Sequence, residues 1–131
     1  MATVRTVGEV MTANPVSITE TASLAEAARI LDAQKISGLP VVDGDGALAG
    51  VVSQTDLVRV RADQQLSQTW SGLAVGLVMT KPALTIHVTA TLEEAARVMS
   101  KCHVHRLVVT NGAAIPIGII SASDLVRSWA G

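Results

Sequence analysis

The feature that most constrains this chain is an internal duplication: residues 8–59 align with residues 76–127 at a constant offset of 68, without a gap. Gly8, Val10, Met11 and Thr12 return as Gly76, Val78, Met79 and Thr80, and Ala27, Ala28 and Arg29 return as Ala95, Ala96 and Arg97. Gly50, Ser53, Asp56, Leu57, Val58 and Arg59 return as Gly118, Ser121, Asp124, Leu125, Val126 and Arg127. A unit of this length buries too little apolar surface to be stable alone. The simplest solution packs the two copies against each other about a pseudo-twofold axis, with related clefts at the junction.

Composition narrows the function. The 131 residues are 49% hydrophobic, enough for one globular body, and the apolar mass is almost wholly aliphatic, with no Phe or Tyr and two tryptophans, Trp70 and Trp129. Stacking platforms for single-stranded nucleic acid are therefore missing, and a net charge of −1 argues against nucleic acid as the main partner. Residues 1–65 carry five Lys/Arg against eight Asp/Glu, and residues 66–131 carry five against three, so an anionic small ligand would favour the second half. The single cysteine, Cys102, excludes an internal disulfide framework and suits a reducing compartment. No leader-like segment and no stretch near the roughly 18 apolar residues of a membrane span is present. A cytoplasmic location without membrane association is the expectation.

Each copy reads as β-α-β-β-α, giving an α+β fold of tandem repeats. A short apolar turn, Val7 to Met11 or Val75 to Met79, is kept short by Pro15 or Pro82. A brief strand follows near residues 16–18 and 84–88. Ser23 with Glu26, and Thr91 with Glu94, then match the capping box that starts a helix. Behind the caps, Leu24, Ala27, Ala28 and Leu31, and likewise Leu92, Ala95, Ala96 and Met99, form one apolar stripe per helix. Strands at 39–42 and 107–109 turn through Asp43 to Gly46 or Asn111-Gly112 into strands at 48–53 and 117–121. A helix from about Thr55 or Ser123 closes the unit. The repeats are placed at residues 7–62 and 75–129, joined by a polar, glutamine-rich linker at 63–74.

Chemistry concentrates where the last strand of each copy meets its closing helix. Gly50-Val51-Val52-Ser53-Gln54-Thr55-Asp56 and Gly118-Ile119-Ile120-Ser121-Ala122-Ser123-Asp124 place a hydroxyl and a carboxylate in one corner. A carboxylate there can accept both vicinal hydroxyls of a ribose. The same residues also satisfy a helix cap, so a structural role stands beside the functional one. In the second copy His105-Arg106 precedes the buried strand, and the planar Arg106 fork suits phosphate oxygens. Cys102, His103, His105 and His87 lack the spacing of a zinc site, and no metal is expected. No P-loop, nucleophile elbow, dinucleotide fingerprint or His-Glu-x-x-His helix occurs, and no catalysis is expected.

These repeats resemble the cystathionine β-synthase (CBS) domain, and the chain is similar to a CBS pair, or Bateman module, over about residues 7–129. The resemblance is carried by Val10-Met11-Thr12 and Val78-Met79-Thr80, by Ser23-Leu24 and Thr91-Leu92, by Ile36 to Asp43, and by the two Gly-to-Asp stretches above. It implies clefts that receive adenosine-containing ligands: AMP, ADP or ATP, with S-adenosylmethionine as the alternative. Under it, Asp56 and Asp124 hold ribose, with Ser53 and Ser121 beside them, and His105-Arg106 contact phosphate. Ser17-Ile18 and Thr85-Ile86 receive adenine, and Val41 and Val109 line the clefts. The first copy has Ser37-Gly38 in place of His105-Arg106, and the second has Val108 in place of Pro40, so the clefts should differ. The expected protein is a non-catalytic nucleotide sensor that forms a homodimer and acts on an unidentified protein partner. Its rivals are a ligand-free dimerisation module and, less favoured, a weak hydrolase.

Overall fold

In the computed structural model, which describes residues 4–131, the duplication sets the order of elements. The chain runs α1 (Val7–Val10), β1 (Thr12–Ala13), β2 (Ile18–Thr19), α2 (Leu24–Gln34), β3 (Gly38–Val42), β4 (Leu48–Ser53) and α3 (Gln54–Ala62). Three short 3-10 turns follow, Leu66–Gln68, Trp70–Gly72 and Val75–Leu77. Then come β5 (Thr85–His87), α4 (Leu92–Cys102), β6 (Arg106–Thr110), β7 (Pro116–Ser121) and α5 (Ala122–Ala130). The β-α-β-β-α order thus appears twice in a mixed α+β architecture. Both closing helices begin one residue earlier than the capping pattern suggested, because the capping serine is the last strand residue.

The compact units do not coincide with the sequence repeats. One comprises Val16–Ala83; the other combines Leu84–Gly131 with the described residues up to Pro15. Each repeat's opening segment therefore belongs to the unit built by the other repeat. In the first unit, Val75 and Gly76 donate to the carbonyls of Ala22 and Glu20, each at 2.8 Å, and Val75 enters a core with Ile18, Leu24, Leu39, Val41 and Val52. In the second, Val7 and Gly8 donate to Ala90 and Val88 at 2.8 and 2.9 Å, and Val7 joins Ile86, Leu92, Leu107, Val109 and Ile120. Burying one such valine contributes on the order of 1.5–3 kcal/mol. The glycines that recur are explained by this docking: a Cβ on Gly50 would lie 2.7 Å from the carbonyl oxygen of Thr80.

The unit of Val16–Ala83 holds a three-stranded sheet in the order β2-β3-β4, with β3 parallel to β2 and antiparallel to β4. The linker here is ordered by specific contacts rather than being a plain extension of α3. The helix stops at Ala62, Asp63 Oδ1 accepts the amides of Gln65 and Leu66 at 2.9 Å, and Trp70 and Leu73 pack on the core. The Arg61 guanidinium lies 5.0 Å from the centroid of Trp70.

The other unit holds a four-stranded sheet, β1-β7-β6-β5. Its β5 is one residue longer than β2, for a reason visible in sequence: the Val108 amide donates to the Leu84 carbonyl at 3.1 Å, and the corresponding Pro40 has no amide hydrogen to donate. The capping box at Thr91 forms in full, whereas Ser23 makes only the half in which its hydroxyl accepts from Glu26. Among the described residues no helix is long and apolar enough to cross a membrane.

Candidate functional site

Both Ser-x-x-Asp corners form by the same local rule. A strand delivers an extended serine, φ −126° at Ser53 and −114° at Ser121, whose hydroxyl accepts the amide three residues on while the aspartate reaches back to the serine amide. The reach-back bond is 2.8 Å in both copies. An arginine one turn later, Arg59 or Arg127, donates to the outer carboxylate oxygen at 3.0 or 3.2 Å.

Beyond that shared frame the corners diverge. Asp56 Oδ2 also accepts from the Ser53 hydroxyl at 3.0 Å, and Oδ1 also accepts from the Thr80 hydroxyl at 3.1 Å. Four donors thus meet a carboxylate with about four lone-pair positions, and Asp56 is 1% exposed. Among the described residues Asp124 accepts from the Ser121 amide and from Arg127, and the Ser121 hydroxyl lies 3.0 Å from that of Ser123. Its side chain is 13% exposed. Among the described residues two donors thus meet Asp124, against four at Asp56.

The remaining candidates sort by strand. In the unit of Val16–Ala83, Ser17 is exposed just before β2, Ile18 pairs with Val41, and Val41 pairs with Gly50. In the other unit Thr85 is exposed on β5, Ile86 pairs with Val109, and Arg106 at the start of β6 pairs directly with Ser121. The register therefore brings Arg106, Ser121 and Asp124 to one end of one sheet. Val41 and Val109, expected to line the clefts, are both 0% exposed and belong to the cores, as do Ile18 and Ile86. Backbone rather than side-chain surface is what these four positions can offer a ligand.

His105 immediately precedes β6 and is exposed. It lines a cavity of about 520 Å³ with Met99, Leu125, Val126 and Trp129, beside α4 and α5. His87 is held by Thr89, with Nδ1 2.8 Å from the hydroxyl, and Cys102 is exposed at the end of α4. Among the described residues no three of His, Cys, Asp or Glu gather as a metal site. Sequence reasoning missed Thr80 as a partner of Asp56; the available signal was the return of Thr12 as Thr80 in the same motif.

Comparison with known proteins gives this arrangement a context. The family model "CBS domain" matches twice, at residues 7–63 and 75–131. A homoserine O-acetyltransferase of Methanocorpusculum labreanum is 35% identical over 125 residues, covering 94% of this chain but 24% of that enzyme, so the chain spans about a quarter of that relative's length. The crystal structure of CBSX2 in complex with AMP superposes with a TM-score of 0.84 at 33% identity, covering 95% of this chain and 96% of that one. The CBS domain pair of protein MJ0100, in complex with 5′-methylthioadenosine and S-adenosyl-L-methionine, superposes with a TM-score of 0.86 at 26% identity over 98% of both chains.

Proposed function

This chain belongs to the CBS-domain family, and from that footing we propose that it is a non-catalytic regulatory module that binds an adenosine ligand, with Asp124 as the acceptor for the ribose hydroxyls. The observation that carries the reading is the unfilled half of the Asp124 carboxylate at the sheet end that also holds Arg106. A ribose diol supplies two donors on adjacent carbons, which is the number Asp124 still accepts. Arg106 gives an anion partner on the neighbouring strand, which favours AMP, ADP or ATP over S-adenosylmethionine, whose sulfonium end carries no phosphate. Ser121 completes the corner, and Thr85 with the backbone at Ile86 and Val109 offers the adenine its polar edge contacts. The adenosine ligands of CBSX2 and of the MJ0100 pair support the ligand class.

Occupation of this corner stabilises the ligand-competent state of the chain and shifts its population, which is how a module without catalytic groups transmits a signal to a protein partner or a second copy. The test is thermal denaturation with AMP, ADP, ATP, S-adenosylmethionine and adenosine in turn. A ligand present at 100 times its dissociation constant adds about 2.7 kcal/mol to stability. Rising midpoints with the phosphorylated compounds support the reading. Unchanged midpoints across the series favour a purely structural role for both corners.

A further inference from the structure

We infer that Thr80 is a specificity-determining residue: its hydroxyl fills the last acceptor position of Asp56 and so confines nucleoside binding to Asp124. The inference rests on the reading of Asp124 as the ribose acceptor and adds to it the reason why the duplicated aspartate is excluded. A diol must place two donors on a carboxylate. Asp56 already accepts from the Ser53 amide, the Ser53 hydroxyl, Arg59 and Thr80, so a ribose gains nothing there unless donors are displaced and the buried carboxylate is exposed.

The equivalent threonine of the other unit behaves differently, and backbone chemistry supplies the cause. Thr12 and Ala13 pair with Ile119 and Gly118 as a strand, and that pairing is prolonged by the Asn14 amide donating to the Ile117 carbonyl at 3.1 Å. Asn14 corresponds to Pro82, which has no amide hydrogen. The pairing on the first unit accordingly stops at a single bridge between Thr80 and Val51, with bonds of 2.8 and 3.0 Å, and the Thr80 hydroxyl reaches Asp56. Thr12 is exposed, and the donors to Asp124 are Ser121 and Arg127. Beside an identical threonine, Pro82 in place of Asn14 thus goes with the closed corner.

Titration calorimetry of the full chain with AMP tests this. The wild type should bind one AMP per chain, Thr80→Ser should also bind one, and Thr80→Val, which keeps the shape, removes one of the four donors to Asp56 and leaves the rotatable Ser53 hydroxyl as the single donor a diol must displace, should bind two. Asp124→Ala should bind none, and the Asp124→Ala/Thr80→Val double variant should regain one. Two AMP molecules per wild-type chain, one AMP retained by Asp124→Ala alone, or no second site in a folded Thr80→Val protein would each overturn the role of Thr80. Should Thr80→Val not fold, Asp124→Ala decides the matter, because its surface-accessible position leaves the cores intact. Absence of AMP binding by both the wild type and Thr80→Val would instead remove the nucleotide reading itself, and the inference with it.

Discussion

Asp56 and Asp124 occupy the same corner of two copies of one unit, yet the first accepts four hydrogen bonds and the second two. Duplication preserved the frame, namely the capping serine, the reach-back to its amide and the arginine one turn later. Part of what differs lies within the motif, where the Ser121 hydroxyl meets Ser123 while the Ser53 hydroxyl meets Asp56, and part in a distant segment, Thr80-Lys81-Pro82 on one side and Thr12-Ala13-Asn14 on the other. A motif aspartate is therefore not a binding residue by identity. It becomes one when its surroundings leave it acceptors that water or a ligand can reach.

The comparison can be broken most forcefully through the cores that support the two corners. Leu39 and Leu107 are equivalent and buried, so Leu39→Ala and Leu107→Ala should each cost about 2–5 kcal/mol in urea denaturation. A near-zero cost for either would show that the two units are not built alike. Val75→Ala sharpens the point: hydrogen exchange should lose protection in β3 and β4, the unit where Val75 packs, and not in β6 and β7. The reverse pattern would contradict the exchange of opening segments.

Next in size come the aspartates themselves. Asp56→Ala leaves the Ser53 amide and the Thr80 hydroxyl without their acceptor, at a cost of about 2–3 kcal/mol, whereas Asp124→Ala loses a partly exposed cap at about 1 kcal/mol. Equal melting shifts for the two variants would undo the contrast drawn above. In binding, Arg106→Ala should weaken AMP roughly 10–100-fold while moving adenosine little, as loss of a hydrogen bond to a charged group is worth about 1.5–3 kcal/mol. Matching losses for both ligands would remove Arg106 from the phosphate site.

Much of this was legible from residues alone. The offset between Ala27 and Ala95, or between Leu39 and Leu107, predicts equivalent core positions, and the burial of each pair follows. The turn at Asp43 was legible because Asp and Gly satisfy its local bonding: Asp43 Oδ1 accepts the amides of Asp45 and Ala47 at 2.8 and 3.0 Å. The exchange of opening segments was not legible, since Val7 and Val75 are the same residue and either core would accept either one. Nor was the docking of the linker, where one tryptophan, Trp70, outweighs a polar stretch of glutamines and serines by packing on the core beside Arg61. At the site, hydroxyl and carboxylate types were readable, but the Thr80 bond joins residues 24 positions apart and no local pattern announces it. The full burial of Val41 and Val109 was likewise not legible from their place in the strands alone.

Acceptance of the ribose diol by the Asp124 carboxylate is tested by comparing AMP with 2′,3′-dideoxy-AMP on the wild type and on Asp124→Ala. The account predicts that removing both hydroxyls weakens binding to the wild type by about 10–100-fold, as expected for hydrogen bonds to a charged group. Asp124→Ala should take up neither ligand at concentrations that saturate the wild type with AMP. Equal affinity of the wild type for AMP and its dideoxy form would contradict the account.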